Sequence, residues 1–252
     1  MPMNVPARPG ALDLRPLSAR SVVLSLLLGT HPAELPVREL VRLVEGFDVG
    51  GSTLRAALSR MVAAGDLRRT DTGYRLSDRL LERQRRQDDA VHPRTRAWDG
   101  DWEMVVITAT GRGPAERADL RARLTGLRLA ELREGVWLRP ANLARVLPGD
   151  LDRVTQHYTA RPERPAGDLA RSLWPLDAWS TTARALLAHI AAAPGPADRL
   201  TAFAAVVRHL LADPVLPPGL LPADWPGAEL RAAYTDYQRE LIGEVRARVR
   251  GV

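Results

Sequence analysis

The chain has 252 residues, 45% of them apolar, which is enough to bury a sizeable core in one large domain or two to three small ones. Its formal charge is +6, and every basic residue is arginine, which suits a polyanionic partner, although codon usage in a GC-rich genome is the simpler source of the missing lysine. Without cysteine, disulfides and thiolate-held metals are excluded, and His31, His92, His157, His189 and His209 lack ligand spacing, so neither a metal nor a cofactor is expected.

The first seventeen residues hold Pro2, Pro6, Pro9 and Pro16 and no apolar stretch. They read as a flexible arm and not as a signal peptide. Ser18 to Leu28 predicts a first helix ended by Gly29, and its run from Val22 to Leu28 is too short to span a bilayer. A cytoplasmic protein with no membrane partner is therefore expected. Pro36 fits the first position of a second helix, in which Val37, Leu40, Val41 and Val44 form an i, i+3, i+4, i+7 stripe up to Gly46.

Phe47-Asp48-Val49-Gly50-Gly51 predicts a turn, with Ser52 as N-cap of a third helix over Thr53 to Ala64 and Gly65 as its stop. At 100° per residue, Leu54, Leu58, Met61 and Val62 share the core face. Ser52, Ala56, Ser59 and Arg60 lie opposite, flanked by Thr53 and Arg55. Small residues between arginines let a helix approach base edges closely. Leu67 to Thr70 and Tyr74 to Leu76 then predict a hairpin about Asp71-Thr72-Gly73, whose Arg68, Arg69 and Arg75 suit a DNA backbone or minor groove. A helix-turn-helix followed at once by a basic hairpin predicts a winged helix-turn-helix, with Ser52, Thr53, Arg55, Ser59, Arg60, Arg68, Arg69 and Arg75 as DNA contacts.

A linker helix follows from Ser77 or Asp78 to about Asp89, with Leu80 and Leu81 inward and Arg79, Arg83, Arg85 and Arg86 outward. Beyond His92-Pro93, strands over Trp102–Thr108, Leu129–Arg133, Val136–Arg139 and Val154–Ala160, with a helix over Pro114–Gly126, follow the ferredoxin-like order. The second helix of that order, between Leu143 and Asp152, is abbreviated by Pro148 and Gly149. The remainder reads as helices split by proline-rich turns, with Trp174, Trp179, Trp225, Tyr234 and Tyr237 as packing residues. The expected fold class is α+β: a winged helix-turn-helix with its arm and linker helix over 1–92, a central ferredoxin-like α/β sandwich over 93–163, and a C-terminal helical effector and dimerisation domain over 164–252.

The run Thr53-Leu54-Arg55-Ala56-Ala57-Leu58-Ser59-Arg60-Met61 with Gly65-Asp66-Leu67, then Trp98-Asp99-Gly100-Asp101-Trp102, Gly135 to Pro140 and Leu216 to Gly227, resembles segments of the PaaX family of transcriptional repressors, over nearly the whole chain. That family is named for control of phenylacetic acid degradation. The resemblance implies a repressor that binds a near-palindromic double-stranded DNA operator as a homodimer. It also implies a small-molecule effector, an aryl- or acyl-CoA thioester, bound between the central and C-terminal domains, where Arg161, Arg164 and Arg171 are candidates for its phosphates. The resemblance further implies a central fold similar to that of CRISPR-associated spacer-acquisition nucleases. Those enzymes place an aspartate at the end of the first strand, where this chain has Ile107-Thr108-Ala109. With no nucleophile-and-base arrangement or phosphate loop elsewhere, a nuclease or other enzyme is not expected. An RNA-binding or structural use of the central domain is the alternative, though its strands lack paired exposed aromatics.

Overall fold

A computed structural model describes residue 12, residues 14–47 and residues 49–250, with backbone alone from 244 onward. Most of the expected arm, together with Asp48 of the expected turn, lies outside the described residues. In chain order the helices and strands are α1 (Ala19–Gly29), β1 (Glu34–Pro36), α2 (Val37–Glu45), α3 (Gly51–Ala63), β2 (Leu67–Arg69), β3 (Gly73–Leu76) and α4 (Asp78–Val91). They continue as β4 (Trp102–Ile107), α5 (Pro114–Gly126), β5 (Ala130–Arg133), β6 (Val136–Pro140), β7 (Thr155–Ala160), α6 (Ala166–Leu173), α7 (Leu176–Ala192), α8 (Pro196–Leu211) and α9 (Gly227–Arg250). The fold is mixed α and β with two small antiparallel sheets. No described helix is long and apolar enough to cross a membrane.

The chain forms two compact units. The first takes the residues up to Val91, then Thr182–Leu210, and those from Gly227 on; the second takes His92–Thr181 and Leu211–Pro226. In the first unit α1 starts at Ser18, whose hydroxyl accepts from the Ser21 amide, and it buries Val22, Val23, Leu24, Leu26, Leu27 and Leu28. The orphan carbonyls at its other end are met by a buried side chain on α4. Gln84 Nε2 donates to Leu28 O at 3.0 Å and to Thr30 O at 2.9 Å.

The three-stranded sheet has the order β1-β3-β2. β1 is an element that sequence reading misses, because three residues are too few to show alternation. Pro36 closes that strand and caps α2 instead of occupying its first turn. Gly73 lies in β3 opposite Pro36, and a Cβ there would sit 2.0 Å from Leu35 O. This glycine is needed for the approach of one backbone to another.

The second unit carries the four-stranded sheet β5-β6-β4-β7, antiparallel throughout. Period-two alternation sends Val105 and Trp137 to one face, where they meet Leu120 and Leu124 of α5 and Leu151 of a 3-10 turn, Gly149–Arg153. Trp102, Met104 and Leu138 go to the other face, against Leu169 and Ala170 of α6, Leu216 and Leu220. Trp174 stacks near Trp102 with ring centroids 6.5 Å apart, and Trp179 stacks on Trp225 at 4.4 Å.

One cation is sunk in this unit. Arg139 on β6 is fully buried, and desolvation, with Arg145 as the next cause, pulls its pKa down to about 9. It therefore stays charged at neutral pH and must be solvated by protein. Nη2 donates to Asn142 Oδ1 at 2.8 Å, Nε to Pro140 O at 3.1 Å, and Nη1 to Arg128 O at 3.2 Å. Asn142 in turn donates to Val215 O at 2.9 Å, holding a β-branched residue in the left-handed region at φ 51°. Arg139→Lys should lower stability by roughly 2–5 kcal/mol, since one ammonium cannot serve acceptors spread around a planar fork and leaves some of them buried unmet. Denaturant unfolding monitored by tryptophan fluorescence checks this, because all six tryptophans lie in the second unit.

Candidate nucleic-acid interface

α3 begins at Gly50, two residues before the expected Ser52, which is the correction that matters most for this helix. A glycine cap offers no side-chain acceptor, so the first-turn amides have no side-chain cap, and Ser52 and Thr53 stand within that turn. The buried face is Leu54, Ala57, Leu58 and Met61; Val62, expected among them, is only half-buried. The face exposed to solvent carries Ser52, Thr53, Arg55, Ala56, Ser59 and Arg60, without one carboxylate. Neither Arg55 nor Arg60 has an ion-pair partner among the described residues.

The end of α3 is closed by Gly65 at φ +69°, with its amide on Val62 O at 3.0 Å and the Asp66 amide on Met61 O at 2.9 Å. This is a Schellman closure, and the left-handed position explains the glycine. It delivers Asp66 into the interior, only 2% exposed. Arg20 of α1 donates to Asp66 Oδ2 at 2.7 Å and Arg79 of α4 to Oδ1 at 2.5 Å. The Asp66 carbonyl also accepts from Ser77 N at 2.9 Å. One carboxylate thus joins α1, the end of α3 and α4. Nothing in the sequence separates this aspartate from other turn aspartates; the signal lies in arginines on two other helices.

The β2–β3 hairpin sets Arg68 directly across from Arg75. Arg68 pairs with Asp78, both well exposed, so the pair is weak and open to exchange. The guanidinium of Arg69 lies over the Tyr74 ring, 5.9 Å from its centroid. Arg75 is exposed. All eight residues singled out from sequence therefore sit on the surface of the first unit, five on one helix and three on the adjoining hairpin. Of these only Arg68 has an ion-pair partner among the described residues.

Three family models match the chain in sequence order: PaaX-like protein over residues 18–80, PaaX protein central Cas2-like domain over 95–159, and PaaX-like protein C-terminal domain over 174–249. The chain belongs to the PaaX-like family. A solved structure, that of the uncharacterized protein Rv0674 from Mycobacterium tuberculosis, is similar to this PaaX-like chain with 53% identity and a TM-score of 0.80, over 91% of this chain and 98% of that one. No curated protein matches.

In the second unit of the PaaX-like protein, the three arginines considered for an effector's phosphates are held locally. Arg161 pairs with Asp101 at 2.7 Å, Arg171 with Asp168, and Arg164 Nη2 donates to Asp168 O at 3.3 Å. Arg164 and Arg171 thus both meet Asp168, while Arg161 turns to Asp101, so two of the three charges already face a carboxylate and the third hydrogen-bonds a backbone carbonyl beside it.

Proposed function

We propose that the protein is a DNA-binding transcriptional regulator that reads double-stranded DNA with α3 and flanks it with the β2–β3 hairpin as a wing. Family membership supports regulation of transcription and DNA as the partner. The observation that carries the reading is the acid-free face of α3, with two unpaired arginines between small residues, continuous with a basic hairpin. An uncapped helix start favours phosphate, small residues allow close approach, and arginine forks match guanine edges. The β5-β6-β4-β7 sheet fits a ferredoxin-like central domain. The resemblance further supports a homodimeric repressor, assembled through helices after residue 168, whose hold on a near-palindromic operator is released by an aryl- or acyl-CoA effector.

The test is binding to duplex DNA from upstream of the protein's own gene, against RNA of equal length, by wild type, Arg55→Ala and Arg60→Ala. Loss of a base contact should cost roughly 1–3 kcal/mol and relax preference at one position; loss of a phosphate contact weakens all sequences alike and lowers the salt slope by about one. Both variants should melt as wild type does. Folded variants that bind as tightly as the parent would remove α3 as the reader.

A further inference from the structure

The first unit contains a groove of about 180 Å³ whose walls come from α1, α4, α8 and α9. Its charges are of one sign. Arg20, Arg83 and Arg208 line it and no carboxylate does, although the whole chain has 30 acidic residues against 36 basic ones. Such a clustering of cations at a partly enclosed place is unfavourable unless something offsets it. Arg83 records the cost: desolvation first, then the charges of Arg20, Arg86, Arg208 and Arg79, lower its pKa. Arg83 has no ion-pair partner among the described residues.

The rest of the wall is of another kind. Phe203 and Tyr234 supply aromatic surface, and their ring centroids are 6.1 Å apart. A volume of this size takes a single-ring body, since an apolar cavity of ~150 Å³ admits benzene. It is too small for a CoA thioester, because pockets for drug-sized ligands begin at ~300 Å³. We propose that this groove binds a small organic anion, a ring-sized apolar body bearing one carboxylate or phosphate that Arg83 and Arg20 receive. The assignment concerns a different place and a different ligand class from the thioester effector above.

Arg20 gives the site a second meaning, which rests on the DNA-binding reading. The same guanidinium holds Asp66 Oδ2 at 2.7 Å, and Asp66 closes α3. An anion in the groove competes with Asp66 for Arg20 and so loosens the junction between α3 and the hairpin. Ligand binding and DNA binding then oppose each other.

Calorimetric titration of the full chain, free of DNA, uses benzoate, its neutral counterpart benzamide, and acetate, which keeps the charge and lacks the ring. Benzoate should bind below about 1 mM. Benzamide, acetate and the Arg83→Gln variant should each lose at least about tenfold, as expected for one charge-assisted contact or one buried ring. Arg171→Gln, in the other unit, should bind as wild type, and melting curves confirm that both variants fold. No heat with benzoate, equal binding of acetate, or unchanged affinity in folded Arg83→Gln overturns the site. Saturating benzoate should also weaken binding to the upstream duplex by about tenfold. If benzoate binds and DNA affinity does not change, the Arg20 link is overturned while the groove stands. If ligand-free protein does not bind the duplex, the DNA reading fails and the calorimetry still decides the groove.

Discussion

Gly73→Ala should cost the first unit more than about 4 kcal/mol, a large part of the stability of an ordinary domain. The added Cβ would stand 2.0 Å from Leu35 O, 2.6 Å from Pro36 Cα and 2.7 Å from the Leu35 carbonyl carbon. All three are backbone atoms, so no side chain can turn aside. Overpacking against side chains costs about 1–3 kcal/mol because rotamers yield. Here β1 itself must leave, which gives up its pairing with β3 and uncovers Leu35, now 4% exposed. Thermal and urea unfolding followed by far-UV circular dichroism measures the loss. Thr72→Ala, on the exposed turn beside it, should change little. A Gly73→Ala protein that melts with wild type would show that the strands do not approach as described.

The second large effect comes from removing the partners of Asp66 rather than Asp66 itself. Arg20 and Arg79 are 56% and 70% exposed, and each alone can still neutralise a carboxylate that is 2% exposed. Arg20→Ala or Arg79→Ala should therefore cost only about 1 kcal/mol each, as hydrogen bonds to a charged group that keeps one partner. The double variant strands an ionised carboxylate in the interior and should cost roughly 3–5 kcal/mol, well above the sum. Adding Asp66→Asn to the double variant removes the buried charge and should recover much of the loss. A double-mutant cycle by urea unfolding checks this; additive losses, or no recovery, would mean that Asp66 is not the shared anchor.

The local chemistry of the chain was largely legible, and the long-range contacts were not. Gly65 ends α3, Ser18 starts α1, and α5 spans Pro114–Gly126, because caps, stops and apolar periods act within a few residues. The expected core face of α3 was nearly right, with half-buried Val62 exchanged for buried Ala57. Ser52 is a better capping residue than glycine, yet the chain enters the helix at Gly50, where the turn geometry overrides that preference. Gly73 read as a turn residue, since sequence cannot show that another strand lies against it. The carbonyl-capping Gln84, Asp66 with its two arginines, and the groove about Arg83 are hidden for the same reason, and β1 is in addition too short to show alternation. Each depends on residues well separated along the chain, Asp66 lying 13 positions from Arg79 and 46 from Arg20, and only packing brings them together. Of the candidate DNA contacts, residue type and helical phase selected surface positions; they carried no information that Arg68 would be shared with Asp78.

The first unit is discontinuous, and this orders its birth on the ribosome. Its opening segment emerges first, but α9 supplies part of the groove wall, and Arg231 of α9 donates to Ala90 O at 3.0 Å. Those partners are synthesised after residues 92–181 and 211–226 have appeared. At translation speeds of about 5–20 residues per second, the nascent N-terminal segment waits several seconds or more, its mating surface bare, for the helix that covers it. A stalled or prematurely released chain would therefore present a half-built first unit with exposed apolar flanks, a natural substrate for chaperones and proteases.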